Sequence, residues 1–140
     1  MSTTAEKLPQ DSRVEATRRE LLPDTRESRT HKFKVGDTEG YLTVGLYPDG
    51  RPAELFVKVS KHGTTVSGLL DAIAALTSIA LQHGVALDLL VKKFEYMRFE
   101  PSGWTTHDQI HSAHSLVDYI FRWLKLEFPR DEDTVADDKS

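Results

Sequence analysis

Residues 41–59, YLTVGLYPDGRPAELFVKV, decide the fold, because apolar and polar side chains alternate on both sides of a turn. Alternation over about four to eight residues is typical of a β-strand that buries one face. In the turn, Pro48 fixes its own φ and Gly50 tolerates the positive φ of a tight reversal. The pattern therefore predicts an antiparallel hairpin that turns at Pro48-Asp49-Gly50.

A third strand and a first helix flank the hairpin. In residues 31–36, Phe33 and Val35 alternate with lysines, which predicts a strand. After Gly63 the apolar side chains take helical spacing, and Gly84 suits the end of that helix. Because this helix is apolar on all sides, it is predicted to be central and buried.

Two further helices complete the predicted fold. Residues 86–96 and 109–126 both place apolar side chains at spacings of three and four, as amphipathic helices do. The architecture that fits is α+β, with a small antiparallel sheet of about three strands packed against three helices.

The two ends of the chain differ from its middle in composition. Residues 1–30 are rich in charged and hydroxyl side chains, and residues 129–140 form an acidic segment. Neither stretch can bury enough apolar surface to offset the entropy lost on ordering. We therefore expect a flexible N-terminal arm (1–30), a folded domain (31–128) and a disordered acidic tail (129–140).

Composition excludes several classes of chemistry. The 140 residues carry 18 basic and 22 acidic side chains and no cysteine. Without a thiol, this chain can form no disulfide, thiolate zinc site, iron–sulfur cluster or thiyl radical of its own. It shows no cofactor fingerprint, and no cofactor is predicted. No apolar run approaches the ~18 residues of a membrane span, and the N-terminus lacks signal-peptide features, so we expect a cytoplasmic protein with no membrane partner.

Four separated motifs carry a family resemblance. They are residues 39–52 (EGYLTVGLYPDGRP), 63–72 (GTTVSGLLDA), 98–103 (RFEPSG) and 118–124 (DYIFRWL). In this order they resemble the C-terminal region of vitamin B12-dependent (class II) ribonucleotide reductases, a region that belongs to the TSCPD domain family. With the upstream strings LPDTR and THK, the resemblance covers about residues 18–128.

The resemblance implies ancestry more than activity. Reductases of this family reduce nucleotides on a large barrel domain, using cobalamin-generated radicals and active-site cysteines, and the resembling region lies outside that barrel. This chain has no cysteine and lacks the Thr-Ser-Cys-Pro-Asp string that names the domain family; the counterpart is residues 111–118. We therefore expect a stand-alone, non-catalytic relative rather than an enzyme.

The strand-to-helix junction KHGTTVSG, residues 61–68, is the best candidate binding site. Backbone N–H groups, hydroxyls and a lysine meet there at the positive end of a helix, which suits a phosphate or carboxylate. The competing interpretation is a simple N-cap, with Thr64 or Thr65 capping and Gly68 allowing close packing on the sheet. Arg98 would either clamp a nucleotide or join a structural ion pair with the last helix. The candidate ligand-binding residues are Lys61, His62, Gly63, Thr64, Thr65, Ser67 and Arg98.

His107, His111 and His114 are weak candidates for metal ligands. Their spacing of four and three would place them on one face if the third helix began early enough. Surface histidines without a metal are the alternative, and no metal site is predicted.

The sequence leaves three functions open. The first is an accessory module that binds a nucleotide or another phosphorylated small molecule at residues 61–68. The second is a protein-interaction module, either a homodimer or the partner of a separate reductase, that uses the arm with Leu21 and Leu22 as anchors. Nucleic-acid binding is least favoured, because acidic residues interleave with the basic residues of the N-terminal third.

Overall fold

The structure is a computed structural model that describes residues 18–129. Three strands form one antiparallel sheet in the order β1 (Ser28–Val35), β2 (Thr38–Leu46) and β3 (Pro52–Val59). The predicted hairpin is confirmed: the backbone N–H of Gly50 donates to the carbonyl of Tyr47 over 2.8 Å, and Gly50 adopts a φ of 93°. The first strand begins three residues before the predicted position.

Within residues 18–129, three helices and a short second sheet complete the fold. The helices are α1 (Thr64–Gln82), α2 (Leu87–Phe94) and α3 (Leu116–Glu127). Strands β4 (Gly103–Trp104) and β5 (Ser112–Ala113) pair as a two-residue ribbon before α3. The predicted α+β class, with a three-stranded sheet and three helices, is confirmed.

The core lies between α3 and the inner face of the sheet. Tyr119 of α3 stacks on Phe33 of β1 with ring centroids 5.4 Å apart. Burying aromatic rings of this size accounts for much of the apolar driving force for folding. The largest fully buried side chains are Trp123, Tyr119, Phe33, Phe121, Leu42, Leu55, Ile110, Leu116, Ile120, Leu124, Val35 and Val44.

Helix α1 is not the central helix that its composition predicts. It packs mainly on β3, the edge strand of the sheet. Ser78 Oγ accepts from the backbone N–H of Leu55 over 2.8 Å, and Gln82 Nε2 donates to the carbonyl of Ala53 over 3.0 Å. Polar side chains of α1 therefore satisfy the free edge of β3. The prediction is wrong because one edge strand can cover only one side of a helix.

The third helix begins at Leu116, not at Gln109. Its N-cap is Ser115, whose hydroxyl accepts from the backbone N–H of Asp118 over 2.9 Å. The residues before it form the β4–β5 ribbon, in which the backbone N–H of Thr105 donates to the carbonyl of His111. The second helix is also shorter than predicted and ends at Phe94, before Tyr96 takes a φ of 64°.

Residues 18–27 run along the turn end of the sheet. The backbone N–H of Glu20 donates to the carbonyl of Gln82, and the carbonyl of Glu20 accepts from the Tyr47 hydroxyl. Arg26 pairs with Glu54 over 2.7 Å. The rest of the predicted arm, residues 1–17, and nearly all of the predicted tail lie outside the described residues.

By length and composition alone, α1 could cross a membrane. The core helix of a soluble protein passes the same test but is mostly buried, whereas 17% of the relevant window of α1 is buried. Within residues 18–129, β3 covers one side of α1, where Ser78 and Gln82 bond to it. The opposite side of the helix is apolar and exposed.

Candidate functional site

An exposed apolar strip runs along the outer side of α1. Leu69, Leu76 and Ile79 leave 61%, 66% and 55% of their surface open to solvent. Helical geometry places Ala72 and Ala75 between them, so the five side chains form one continuous surface, the α1 strip. Asp71 is the single charged residue of this 19-residue helix. Exposed apolar surfaces of this kind mark sites of contact with another molecule.

A groove lies beside the α1 strip, between α1 and β3. It encloses about 630 Å³. Phe56, 53% exposed, lines its β3 side and Ile79 lines its α1 side. Four charged side chains also line it, two of each sign: Arg19, Lys58, Glu54 and Asp71. Concave, mostly apolar surfaces that carry a small number of polar groups are typical of binding sites.

The start of α1 offers open backbone donors. Its N-cap is Gly63, no side chain caps it, and its first turn contains no acidic residue. The prediction that Thr64 or Thr65 caps this helix is therefore wrong, and both side chains are exposed. Unpaired N–H groups at a helix start attract anions.

The other predicted site residues occupy different surroundings. Lys61 is exposed and takes a left-handed φ of 65°, whereas His62 Nε2 bonds to Thr38 Oγ1 over 2.8 Å. Ser67 lies one turn into the helix, half-buried. Arg98 is exposed on the loop before β4, and within residues 18–129 no recorded hydrogen bond or ion pair joins it to the junction. Residues 61–67 thus lie together at the start of α1, whereas Arg98 lies on a separate loop.

Gly68 does not pack against the sheet. It is exposed, and a Cβ added to it would have no neighbour within 4 Å. The interpretation that this glycine permits close helix–sheet packing is therefore wrong.

The three candidate histidines do not share a helix face, because α3 begins after all of them. His107 Nδ1 accepts from the backbone N–H of Gln109, and His111 Nε2 bonds to the carbonyl of Asp108. The His114 ring lies against Tyr96 at 6.0 Å. Within residues 18–129, no cluster of three or more potential ligands could hold a metal ion.

His31 and His107 instead belong to an aromatic cluster that the sequence did not indicate. His31 stacks on Trp123 at 4.8 Å and bonds to the Tyr119 hydroxyl over 2.8 Å. Burial raises the pKa of Tyr119 to about 12, so this hydroxyl keeps its proton and can donate it. Burial and then the nearby His107 lower the pKa of His31, although Glu127 opposes them. The neutral imidazole is the form that fits this packing.

Asp118 ties the region before α3 to the core. Its side chain is fully buried and accepts from the backbone N–H groups of Tyr96, over 2.5 Å, and His114, over 2.7 Å. Arg122 Nη1 lies 3.3 Å from the same carboxylate. The ion pair predicted between Arg98 and the last helix is not found within residues 18–129, because Asp118 pairs with Arg122 of its own helix.

The α1 strip is a candidate contact surface that the sequence analysis did not single out. Its signal was present, since a helix that is apolar on all sides in a single small domain has more apolar surface than one layer can cover. Such a composition predicts either burial or an exposed contact surface, and here the surface is exposed.

Comparison with known proteins identifies the relatives of this chain. The profile described as the TSCPD domain matches residues 13–128. Over 111 residues the chain is 54% identical to the vitamin B12-dependent ribonucleotide reductase of Rhodopirellula baltica, and over 110 residues it is 47% identical to that of Streptomyces coelicolor. Each alignment covers 79% of this chain but 11% of the relative. No solved structure gives a significant match.

Proposed function

The chain belongs to the TSCPD domain family, and from this membership we propose that it is a non-catalytic accessory module, related to the C-terminal region of ribonucleotide reductases, that binds a separate reductase polypeptide. The observation that carries the proposal is the exposure of the α1 strip. The absence of cysteine supports a role without radical or thiol chemistry in this chain. A cytoplasmic location is part of the same proposal.

The relatives supply the argument for the partner. In them, the matched region is about a tenth of a much longer polypeptide, so further protein is available to pack against α1. Here the same helix leaves three large apolar side chains exposed. A separate vitamin B12-dependent reductase would present the surface that these side chains fit. Burying each of them fully would contribute up to about 1.5–3 kcal/mol to the complex.

Replacing Leu76 by glutamate is expected to weaken binding to a vitamin B12-dependent reductase from the same organism at least tenfold, because the complex would bury an unpaired charge. Leu76 is the most exposed side chain of the strip, so the fold should survive. The matched control is Leu89→Glu, since Leu89 is 61% exposed on α2, away from the strip. Sedimentation velocity on mixtures of the two proteins measures the effect.

Three outcomes of that experiment are informative. Equal binding by wild type and Leu76→Glu would remove the strip from the interface, and no association by any variant would contradict the proposed partner. Self-association of the wild type that Leu76→Glu abolishes would support the homodimer instead.

A second candidate function is binding of a nucleotide or another phosphorylated small molecule at the start of α1. The observation that favours it is the uncapped first turn next to the exposed Lys61, Thr64 and Thr65. An anion there would accept from backbone donors that lack a side-chain partner.

The Lys61→Ala, Thr65→Ala double variant is expected to lose ligand-induced stabilisation while keeping its own melting temperature. Alanine at position 61 meets the same left-handed backbone as lysine, so the change removes charge without altering that strain. A thermal-shift panel of ribonucleotides, deoxynucleotides and cyclic dinucleotides at fixed salt is the measurement. A ligand at ~100 times its Kd adds roughly 2.7 kcal/mol. Stabilisation that survives in the double variant would place the ligand elsewhere.

A further inference from the structure

The outer face of the sheet, opposite the core, is a second exposed surface, which shares Phe56 and Lys58 with the groove beside α1. Strand register aligns Lys32, Tyr41 and Lys58 in one row across the three strands. The next row contains Thr43 and Phe56. Tyr41 and Phe56 are 48% and 53% exposed. Two exposed aromatic residues therefore occupy diagonal positions on neighbouring strands of an open sheet.

No helix covers this face within residues 18–129. Helix α3 packs on the inner face, and α1 lies along the edge of β3. Phe56 and Lys58 also line the groove beside α1, whereas Tyr41 does not. A substitution at Tyr41 therefore changes the outer face without changing the lining of the groove.

The charges of the outer face are mainly positive. Lys32, Lys34 and Lys58 are all exposed on it. Of the acidic residues on this face, Glu54 is paired with Arg26, and Glu39 stands beside Lys34. Acidic and basic residues interleave along the sequence, but the two-residue repeat of a strand places these lysines on one side. Folding thereby creates a positive patch that the order of charges in the sequence does not show.

We propose that the outer face binds single-stranded nucleic acid. Bases stack on Tyr41 and Phe56, and phosphates contact the three lysines. Neighbouring strands lie about 4.8 Å apart, so Lys32 and Lys58 flank the Tyr41 ring at about 5 Å of backbone spacing on either side. Stacking on exposed aromatic rings together with lysine contacts to phosphates is how open sheets bind single strands without reading their sequence. Paired bases cannot stack in this way, which favours a single strand over a duplex.

The test is fluorescence anisotropy of labelled 12-mer oligothymidylate and oligouridylate with the full chain, against a 12-base-pair duplex, at several salt concentrations. We expect Tyr41→Ala and Phe56→Ala each to weaken binding about fivefold or more. The double variant Lys32→Ala, Lys34→Ala should flatten the dependence of log K on log salt by about 1.4, since each phosphate contact to a single strand contributes ~0.7. The controls are Phe99→Ala, an exposed ring elsewhere, and Lys92→Ala, Lys93→Ala on α2.

Each result decides the proposal. Weaker binding by the outer-face variants, with both controls unchanged, supports it, and the lysine pair keeps the test valid if an aromatic variant fails to fold. The proposal is overturned by binding that Tyr41→Ala leaves unchanged, by tighter binding to the duplex, or by no binding of either oligonucleotide at low salt.

Discussion

Replacing Asp118 by alanine is expected to lower the free energy of unfolding by about 3–5 kcal/mol. The substitution removes the acceptor for the backbone N–H groups of Tyr96 and His114 and the counter-ion of Arg122. A fully buried donor left without a partner costs about 1–3 kcal/mol, and here two partly buried donors lose their acceptor. Urea unfolding followed by tryptophan fluorescence measures the loss, with Trp123 reporting from the core.

Comparing Asp118→Ala with Asp118→Asn separates the contribution of the hydrogen bonds from that of the negative charge. Asp118→Asn retains one acceptor oxygen and should lose less stability than Asp118→Ala. Glu95→Ala is the control, since Glu95 forms a 3.7 Å pair with the exposed Lys125, and a pair of that kind contributes up to about 1 kcal/mol. A loss below about 1 kcal/mol for Asp118→Ala would mean that water replaces the carboxylate, contrary to its complete burial.

The same residues explain why the start of α3 was predicted too early. Ile110 and Ala113 continue the apolar spacing of the helix and are buried, but they lie in the segment that forms the β4–β5 ribbon. Apolar periodicity reports burial and does not by itself report helix. The better signal was Ser115-Leu116-Val117-Asp118, a serine three residues before an acidic residue, which is typical of a helix N-terminus. Ser115 is the N-cap of α3, and Asp118 is the buried hydrogen-bond acceptor.

The strands were easier to predict than the position of α1. Alternation of Leu42 and Val44 with exposed residues fixes which face of β2 is buried, and the turn at Gly50 fixes the hairpin. For α1, composition alone cannot tell how many layers pack around a helix. Leu70 and Ala74 face the core while Leu76 faces solvent. Which side chains of α1 are buried therefore depends on the elements that pack against the helix.

For the candidate sites too, local sequence predicts what lies along one segment but not what long-range contacts bring together. Residues 61–67 are contiguous, so the sequence could place them together at a helix start. A role for Arg98 at this site requires a long-range contact, which local sequence patterns do not specify. The outer face combines three strands, and only the register between them aligns Lys32, Tyr41 and Lys58.

Replacing Gly40 by alanine is expected to lower the free energy of unfolding by about 3 kcal/mol, at the upper end of the cost of overpacking. Gly40 is buried in β2, opposite Phe33 of β1 and Val59 of β3. An added Cβ would overlap the carbonyl oxygen of Lys58 and lie 2.9 Å from Cζ of Phe33. The first neighbour is backbone held in a ladder, so it can move only by breaking strand pairing. Urea unfolding measures the change.

Gly68→Ala is the matched control, because it adds the same methyl group where no atom lies within 4 Å. Alanine in a helix interior is favoured over glycine by roughly 0.5–1 kcal/mol, so this variant should be more stable than the wild type. The two substitutions are therefore expected to change stability in opposite directions. If Gly40→Ala left stability unchanged, β2 and β3 could separate locally at no cost, and the tight register between them would not be what holds the sheet together.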